Sequence, residues 1–502
     1  MESVERNRAA VGLFDTRTLL RDIGSITLGR YLSLPIVLIC SVFQRRMLGP
    51  SLIGLWNILL LVEMYLSFGD LGIIRGAERK LPDLYANRSE NEGDTVRDIG
   101  FTSALVLLIL FNLAFLTFTF LFEARFDPLL VFGLRVVTVV AVLRFISDYF
   151  EVAVLRSKRR FTLLSVQLFV TEVFFAIASV AGIYVWGVYG FFVSMIAMLV
   201  LKTGFIYVTT RDRISLRFDF FETRDLLRIG VPLTIYALTL RTYENLDKIV
   251  VIQWLGVEYV GYYSLAFTAL VFIHHFPRIV SQVLYPRIMS YIGEGNCEGV
   301  SSEYLTRAQH AFAFSMMLIV GGCYFVIPLG IVYLLPSFTP AIRVVKVLLF
   351  SAIFAALIQI PIQYLIAIGR RWFLVVTIGL LGGAYYVIAG IVLSLQLAER
   401  WPMEAIALGK LMTYALTYFL MTWMCLKALN DLHLLWRHFA SLLLPLGIFS
   451  GVLILIDSTL LTAGTSFAWD LGVVVLKTIM LLGVLVPLFW TMTRRFVPYR
   501  NV

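Results

Sequence analysis

Residues 98–122 read DIGFTSALVLLILFNLAFLTFTFLF, in which Asp98 is the only charged residue. An α-helix of that length spans the ~30 Å hydrocarbon core of a bilayer. Comparable apolar blocks recur along the 502-residue chain, which is 60% hydrophobic and 15% charged, with a mean hydropathy of +0.87. Because soluble domains carry about 25% charged residues, the composition predicts one integral membrane domain rather than several soluble domains.

The apolar blocks, taken between polar breaks, predict an all-α integral membrane protein with about fourteen transmembrane helices. The predicted spans are 23–44, 51–74, 98–122, 128–155, 161–184, 188–209, 228–253, 260–286, 308–335, 340–368, 372–396, 402–427, 439–457 and 470–492. The polar first twenty residues lead into span 1 without a cleavage-site pattern. We therefore expect span 1 to remain in the mature protein.

Lysine and arginine concentrate in alternate loops. With the N-terminus placed inside, the inward segments hold 27 of the 42 cations, and 11 lie within the spans. The outward segments hold only Arg45, Arg46, Arg125 and Arg400. Because positive charge in short loops marks the cytoplasmic side, this distribution predicts a multi-pass protein with both termini in the cytoplasm.

The charge and the cysteines exclude several other classes of protein. The net charge of +10 is spread over short loops and forms no long basic tract, which argues against a nucleic-acid partner. The cysteines neither show CxxC spacing nor cluster with the five histidines; they are Cys40, Cys297, Cys323 and Cys425. The sequence therefore predicts no disulfide framework, no metal site and no cofactor.

An internal repeat divides the chain at an offset of about 207 residues. The motif LGPSLIGLW at 48–56 is echoed by LGVEYVGYY at 255–263, and LLRDIG at 19–24 by LLRIG at 226–230. Six spans separate the copies, so both have the same orientation in the membrane. The repeat predicts two six-helix lobes around a central cavity plus two extra C-terminal helices. Chance recurrence of Leu-Gly turns is the alternative.

This repeat also sets the predicted domain bounds. The N-lobe, with spans 1–6, is predicted over 1–209, and a cytoplasmic linker over 210–227. The C-lobe, with spans 7–12, is predicted over 228–428, and spans 13–14 with a cytoplasmic tail over 429–502.

The cations inside the spans are the first candidates for function, because each costs about 2.5–3.5 kcal/mol at a helix centre. They are Arg30, Arg135, Arg144, Lys202, Arg241, Lys248, Arg278, Arg343, Lys346, Lys410 and Lys477. The acids at comparable depth are fewer: Glu63, Asp148, Glu151, Glu172, Glu244 and Asp247. A cavity lined by these groups is expected to be net positive and to favour an anion.

Five cations are predicted to contact that anion: Arg30, Arg144, Arg241, Lys248 and Lys346. Three of these, Arg30, Arg144 and Arg241, lie near mid-span, where a side chain cannot easily extend its charge to the interface. The predicted coupling or charge-pairing residues are Asp148, Glu244, Asp247, His274 and His275. Pairing is expected between Arg144 and Asp148, four residues apart, and along the row formed by Arg241, Glu244 and Lys248. For each residue a purely structural role is the alternative.

The span count, the paired halves and the two motifs at 48–56 and 255–263 resemble a known family. They resemble the polysaccharide flippases of the Wzx type, within the multidrug/oligosaccharidyl-lipid/polysaccharide exporter superfamily. The resemblance covers essentially the whole chain, although its motifs are short.

The resemblance implies a V-shaped pair of lobes that moves undecaprenyl-pyrophosphate-linked oligosaccharides across the bacterial inner membrane, for surface polysaccharides such as exopolysaccharide or O-antigen. It implies no enzymatic activity. It also implies that spans 13 and 14 line a groove for the polyprenyl tail, that a proton or sodium gradient drives the cycle, and that polysaccharide polymerase or assembly proteins act as partners. The substrate is a bulky anion, in agreement with the excess of intramembrane cations.

Three alternatives remain open. A membrane glycosyltransferase or O-antigen ligase usually has a substantial outward loop, whereas the longest outward connection here runs from about Asp457 to Asp470. A drug or ion antiporter of the same superfamily favours acids over cations in its cavity. A peptidoglycan-precursor flippase is a nearer alternative, and genetic context separates it.

Overall fold

A computed structural model describes residues 16–87, 90–293, 305, 307–459 and 466–496. These residues form helices and connecting turns, with no β-strand among them. The helices are α1 (Thr16–Leu66), α2 (Ile73–Asn87), α3 (Glu90–Leu121), α4 (Pro128–Phe150), α5 (Phe161–Trp186), α6 (Val188–Thr210), α7 (Phe220–Trp254), α8 (Val257–Gly293), α9 (Gln309–Leu334), α10 (Ala341–Ala367), α11 (Arg371–Ser394), α12 (Pro402–Ala428), α13 (Leu435–Thr459) and α14 (Phe467–Phe496).

The predicted spans correspond in order to these helices. Spans 1 and 2 are the two arms of α1, and spans 3–14 are α3–α14. Among the described residues, eleven helices are long and apolar enough to cross a membrane, judged by length and composition. This number takes the two arms of α1 as one helix and does not include α7 and α8. The outer surface of α3 exposes large apolar side chains such as Leu110 and Leu121, which a protein surrounded by water would bury. The predicted all-helical membrane fold is confirmed.

The helices extend beyond the predicted spans at several ends. The first helix begins by Thr16 rather than 23, α3 begins at Glu90 rather than 98, and α7 begins at Phe220 rather than 228. The amphipathic helix α2 was not predicted at all. Apolar blocks mark only the part of a helix inside the hydrocarbon, whereas polar residues continue the helix where water can solvate them.

The repeated motifs at 48–56 and 255–263 adopt matching conformations. Gly49 has φ +71° and interrupts α1, and Gly256 has φ +97° between α7 and α8. Both values lie in the left-handed region that glycine adopts without steric cost. Each motif therefore turns the chain back on itself at its first glycine, which explains the Leu-Gly pair.

The second glycine of each motif lies against the backbone of the other motif. A Cβ atom placed on Gly54 would overlap the carbonyl oxygen of Val257, and one placed on Gly261 would overlap that of Pro50. The two contacts are related by the 207-residue offset of the repeat. The short motif therefore marks a crossing of two helices whose backbones touch.

The helices pack as two compact units, each described separately here. The first comprises the described residues up to Leu48 together with Leu55–Leu238. Its core includes the rings of Phe101 and Tyr149, whose centroids lie 5.4 Å apart. The Tyr149 hydroxyl donates to the backbone oxygen of Arg97 at 2.8 Å, so the buried polar group of this core has a partner.

The second unit comprises Gly49–Gly54 and the described residues from Thr239 onwards. Its central helix is α10, which packs against α8, α9 and α12 and is largely buried. The helices α13 and α14 pack against α9. Gly321 on α9 permits this contact, because a Cβ atom there would collide with Leu481 of α14.

Candidate functional site

A fully buried carboxylate lies at the centre of the second unit. Asp247 on α7 has no exposed surface. Its Oδ2 accepts from the Tyr263 hydroxyl at 2.8 Å, and its Oδ1 accepts from Lys410 Nζ at 3.3 Å. Lys410 on α12 also donates to the backbone oxygens of Tyr243 at 2.8 Å and Glu244 at 2.9 Å. Three helices thus surround one ion pair whose groups are all hydrogen-bonded, as a buried pair requires.

Two further cations of α7 flank this ion pair. Lys248 is buried, with its ammonium 3.6 Å from the centroid of the Phe267 ring, and no carboxylate of the described chain lies within 4.0 Å of it. Arg241 is 54% exposed and lies 3.5 Å from Glu244, a weak ion pair at i,i+3. Of the pairing expected along this row of α7, the structure describes the contact of Arg241 with Glu244, and Arg241 is the most accessible of the three residues.

A second charge cluster lies in the first unit. Arg144 Nε on α4 lies 2.5 Å from Oε1 of the buried Glu63 on α1. Lys202 on α6 bridges Asp148 at 2.6 Å and Glu151 at 2.8 Å. The predicted pair of Arg144 with Asp148 is wrong, because each residue pairs with a group on another helix. The spacing of charged residues along one helix shows which groups need a partner. It does not show which residue of a neighbouring helix becomes that partner.

Most of the intramembrane cations have carboxylate partners within their own unit. Those paired within 4.0 Å are Arg135, Arg144, Lys202, Arg241, Lys346, Lys410 and Lys477. Two of the partners, Glu123 and Asp457, lie at the ends of apolar blocks and were not counted among the intramembrane acids. The expected excess of positive charge is therefore smaller than the sequence suggested, since an unpaired charge is costly in this environment.

The last two helices carry a third cluster. Lys346 Nζ on α10 lies 2.5 Å from Asp457 Oδ2, and Lys477 Nζ on α14 lies 3.0 Å from Asp457 Oδ1. Nearby, the Tyr333 hydroxyl donates to Asp470 at 2.8 Å. These side chains line a cavity of about 220 Å³, together with the rings of Tyr324 and Phe325.

An apolar groove adjoins this cavity. It has a volume of about 400 Å³ and lies between α10, α12 and α13. Its walls include Phe350, Phe354 and Ile454, while Tyr324 and Lys346 line both the groove and the charged cavity. One face of the second unit thus offers a charged end and an apolar channel side by side.

A polar network on α9, α12 and α13 includes two histidines that are not among the predicted site residues. His438 on α13 contacts Gln309 at 2.8 Å and Tyr418 at 3.1 Å, and His310 contacts Ser441 at 2.9 Å. This network fastens α13 to α9 and α12. No spacing pattern signals it, because its members come from three helices far apart in sequence.

Three further predicted site residues lie in α1 and α8. His274 is half-buried on α8. Arg30 lies in α1 and His275 in α8, but their side chains fall outside the described part of the structure.

The segment between α6 and α7 is held by polar contacts of the first unit. Lys158 Nζ lies 2.8 Å from Asp212 and 3.3 Å from Glu90, and Arg97 donates to the backbone oxygen of Arg213 at 2.8 Å. Burial lowers the pKa of Lys158, but the hydrogen bond to Asp212 and the neighbouring carboxylates outweigh it and raise the pKa above its usual value. The ammonium is thus fixed in its charged form at neutral pH.

Substituting Lys158 with methionine is expected to destabilise the protein by about 1.5–3 kcal/mol, because Asp212 loses a charge-assisted hydrogen bond. Because the folded-state pKa is raised, the stabilisation by Lys158 is fully present at any pH below the unfolded pKa of about 10.4. It is lost only as the pH rises through the folded-state pKa. Thermal unfolding in detergent at pH 6–9 should therefore show a constant deficit. Arg159→Met removes the same charge from an exposed neighbour and should leave the melting temperature unchanged; equal effects of both variants contradict this account.

Several solved structures share the fold. The lipid II flippase MurJ in an inward closed conformation aligns with a TM-score of 0.70 and 14% identity, over 94% of this chain and 99% of that chain. An inward-facing multidrug resistance MATE family transporter of the MOP superfamily aligns with a TM-score of 0.65 and 16% identity, over 79% and 95% of the two chains. An outward-facing one aligns with a TM-score of 0.56 and 14% identity, over 82% and 96%. The fold is that of membrane transporters.

The sequence also matches a family model. The model described as polysaccharide biosynthesis protein covers residues 19–292, more than half of the chain. The chain belongs to this family. No curated protein matches it. The predicted resemblance to the polysaccharide flippases is confirmed.

Proposed function

We propose that the protein is a flippase that moves an undecaprenyl-pyrophosphate-linked oligosaccharide from the cytoplasmic to the outer face of the bacterial inner membrane. The family match over residues 19–292 is the observation that carries this proposal, because it joins polysaccharide biosynthesis to a fold shared with transporters. In this proposal the lobes over 1–209 and 228–428 alternate access to a shared path, the linker 210–227 and both termini are cytoplasmic, and spans 13 and 14 follow at 429–502.

The charged groups of α7 support an anionic substrate. Arg241 is half-exposed, and its one ion pair within the described part of the chain is a 3.5 Å contact with Glu244, so its guanidinium is available to a pyrophosphate. Arg144 is 31% exposed but bound to Glu63 at 2.5 Å, so substrate would have to displace a carboxylate. We therefore rank Arg241 first among the proposed contacts, with Lys248 beside it, ahead of Arg144, Lys346 and Arg30.

The buried pair of Asp247 and Lys410 supports coupling to an ion gradient. A carboxylate and an ammonium that share hydrogen bonds on three helices can exchange a proton only if the helices rearrange. Gain or loss of one proton at Asp247 would thus bias the packing of α7 against α12. We propose this pair, rather than His274, His275, Asp148 or Glu244, as the coupling element.

The experiment is deletion of the gene followed by complementation. Deletion should abolish surface polysaccharide and leave lipid-linked repeat units on the cytoplasmic face, and the wild-type gene should reverse both effects. Arg241→Ala should reduce export roughly tenfold to a hundredfold at equal protein level, the value of one hydrogen bond to a charged group. Arg224→Ala removes an exposed charge from the same helix and should complement fully. Unchanged polysaccharide and precursor in the deletion strain would overturn the proposal.

A second candidate function is transport of a peptidoglycan precursor. The alignment over 94% of the chain with a structure named lipid II flippase favours it. The same strains discriminate between the two functions: arrest of growth with loss of cell-wall synthesis indicates the peptidoglycan precursor, and viable cells that lack surface polysaccharide indicate the oligosaccharide. Polysaccharide polymerase or assembly proteins are the partners expected if the substrate is the lipid-linked oligosaccharide.

A further inference from the structure

Four large apolar side chains lie on the surface where the chain passes from α6 to α7 in the first unit. Residues 211–219 form no helix, and α7 begins directly after them. The four side chains are those of Leu216, Phe218, Phe220 and Phe221, with exposed fractions of 74%, 67%, 64% and 76%. Adjacent large apolar side chains are rarely exposed to water together, and such a patch marks a contact with a partner or a membrane.

The residues on either side of this patch are packed into the first unit. Ile214 and Leu227 pack against its hydrophobic core, and Leu226 is fully buried. The segment that carries the patch is therefore fixed at both ends by apolar contacts. The exposure of the four side chains is thus a feature of the fold and not of a loosely attached loop.

Two hydrogen bonds fix the level of the patch along α3. The backbone N–H of Arg217 donates to Thr102 Oγ1 at 3.0 Å. The hydroxyls of Thr223 and Ser103 share a hydrogen bond of 2.7 Å. The two residues of α3 lie inside the apolar block 98–122 that predicts span 3. The patch therefore lies beside the start of that span, at the depth where the hydrocarbon begins.

The position of Thr102 also shows which side of α3 the patch adjoins. Side chains four residues apart lie on one face of a helix, so Thr102 shares its face with Val106 and Leu110. Both of these apolar side chains are exposed, and an exposed apolar face of a membrane-spanning helix contacts lipid. In the orientation predicted from the loop charges, the start of α3 is cytoplasmic. The patch thus continues the lipid-facing surface of α3 towards the cytoplasmic side.

We propose that the side chains of Leu216, Phe218, Phe220 and Phe221 enter the cytoplasmic leaflet and contact phospholipid acyl chains at the edge of the hydrocarbon. The segment between the two repeats is then an interfacial anchor, with its apolar side in lipid and its polar contacts on α3. A protein partner would have to displace lipid from the adjoining face of α3. The anchor contains none of the proposed substrate contacts and does not depend on the transported molecule.

The test is nitroxide labelling of the full-length protein in phosphatidylcholine vesicles. Single cysteines are introduced by Phe218→Cys, Leu110→Cys and Asn91→Cys after the four native cysteines are replaced by alanine. Leu110 provides the lipid control, and Asn91, which is exposed in the first turn of α3, provides the water control. The ratio of collisions with oxygen to collisions with a water-soluble nickel chelate should be roughly threefold or more higher at Phe218→Cys than at Asn91→Cys.

Two results would overturn the proposal. If the nickel chelate reaches the label at Phe218→Cys as readily as the label at Asn91→Cys, the patch faces water. If both reagents are excluded from Phe218→Cys but oxygen reaches Leu110→Cys, a protein surface covers the patch, and because the vesicles hold only this protein, that surface belongs to a second copy or to the rest of the chain.

A second measurement fixes the depth of the patch. A fluorescent label on Phe221→Cys should be quenched roughly twofold more strongly by lipids brominated near the ester end of the acyl chain than by lipids brominated near the methyl end, as expected at the interface. The label on Asn91→Cys should be quenched by neither lipid. Absence of quenching at Phe221→Cys, or stronger quenching by the deeper bromine, contradicts an interfacial anchor. Both measurements are made without transport, so their outcome is independent of the proposed flippase activity.

Discussion

Replacement of Gly261 with alanine is expected to lower the free energy of unfolding by roughly 3 kcal/mol. Overpacking costs about 1–3 kcal/mol, and the upper end applies here because the contacted atoms belong to the backbone and cannot move away by a change of side-chain rotamer. A Cβ atom on Gly261 would lie 2.0 Å from the Pro50 carbonyl oxygen, far inside van der Waals contact. The two helices must therefore separate at their crossing. Thermal or denaturant unfolding of the purified protein in detergent measures the effect.

The symmetry of the crossing supplies a further check. Gly54→Ala should cost about as much, because its Cβ would overlap the Val257 carbonyl oxygen in the same way. The double variant should cost less than the sum, since one separation of the helices relieves both overlaps. Gly204→Ala on α6 meets no atom within 4 Å and should be neutral or stabilising by up to about 1 kcal/mol. Full additivity, or an equal loss at Gly204, would contradict the proposed backbone contact.

The glycine crossing shows why the fold could be predicted from sequence. Apolar blocks such as 98–122 identify membrane helices directly, because the hydrocarbon imposes both length and composition. The repeat of the Leu-Gly motif was visible as a spacing, and the structure provides its cause in the matching turns at Gly49 and Gly256. The amphipathic helix α2 was missed, because its polar face resembles a charged loop when only hydropathy is considered.

The candidate site was predicted less completely. Asp247, Lys248 and Arg241 were identified because charge in a membrane span is costly and therefore informative. Their partners were not, since Lys410 reaches Asp247 from a helix 163 residues away in sequence. Asp457 was overlooked because it lies at the end of an apolar block. Partners of this kind depend on which helices pack together, and a single sequence does not contain that information.

The ion pair of Asp247 and Lys410 is expected to have the second large effect. Lys410→Met would leave Asp247, with no exposed surface, without its countercharge, and breaking a buried pair in this way costs about 3–5 kcal/mol. The Tyr263 hydroxyl at 2.8 Å compensates only part of that loss. Unfolding experiments on the single variant at neutral pH measure the cost.

The double variant Asp247→Asn with Lys410→Met separates structure from function. Removing both charges should restore most of the lost stability, because no unpaired charge is then buried. Glu244→Gln on the same helix changes a partly exposed carboxylate that lies 3.5 Å from Arg241 and should cost no more than about 1 kcal/mol. If the stable double variant exports polysaccharide normally, the pair serves only to hold α7, α8 and α12 together. If it is stable but fails to export, the ionisable pair itself is required, as proton coupling through Asp247 demands.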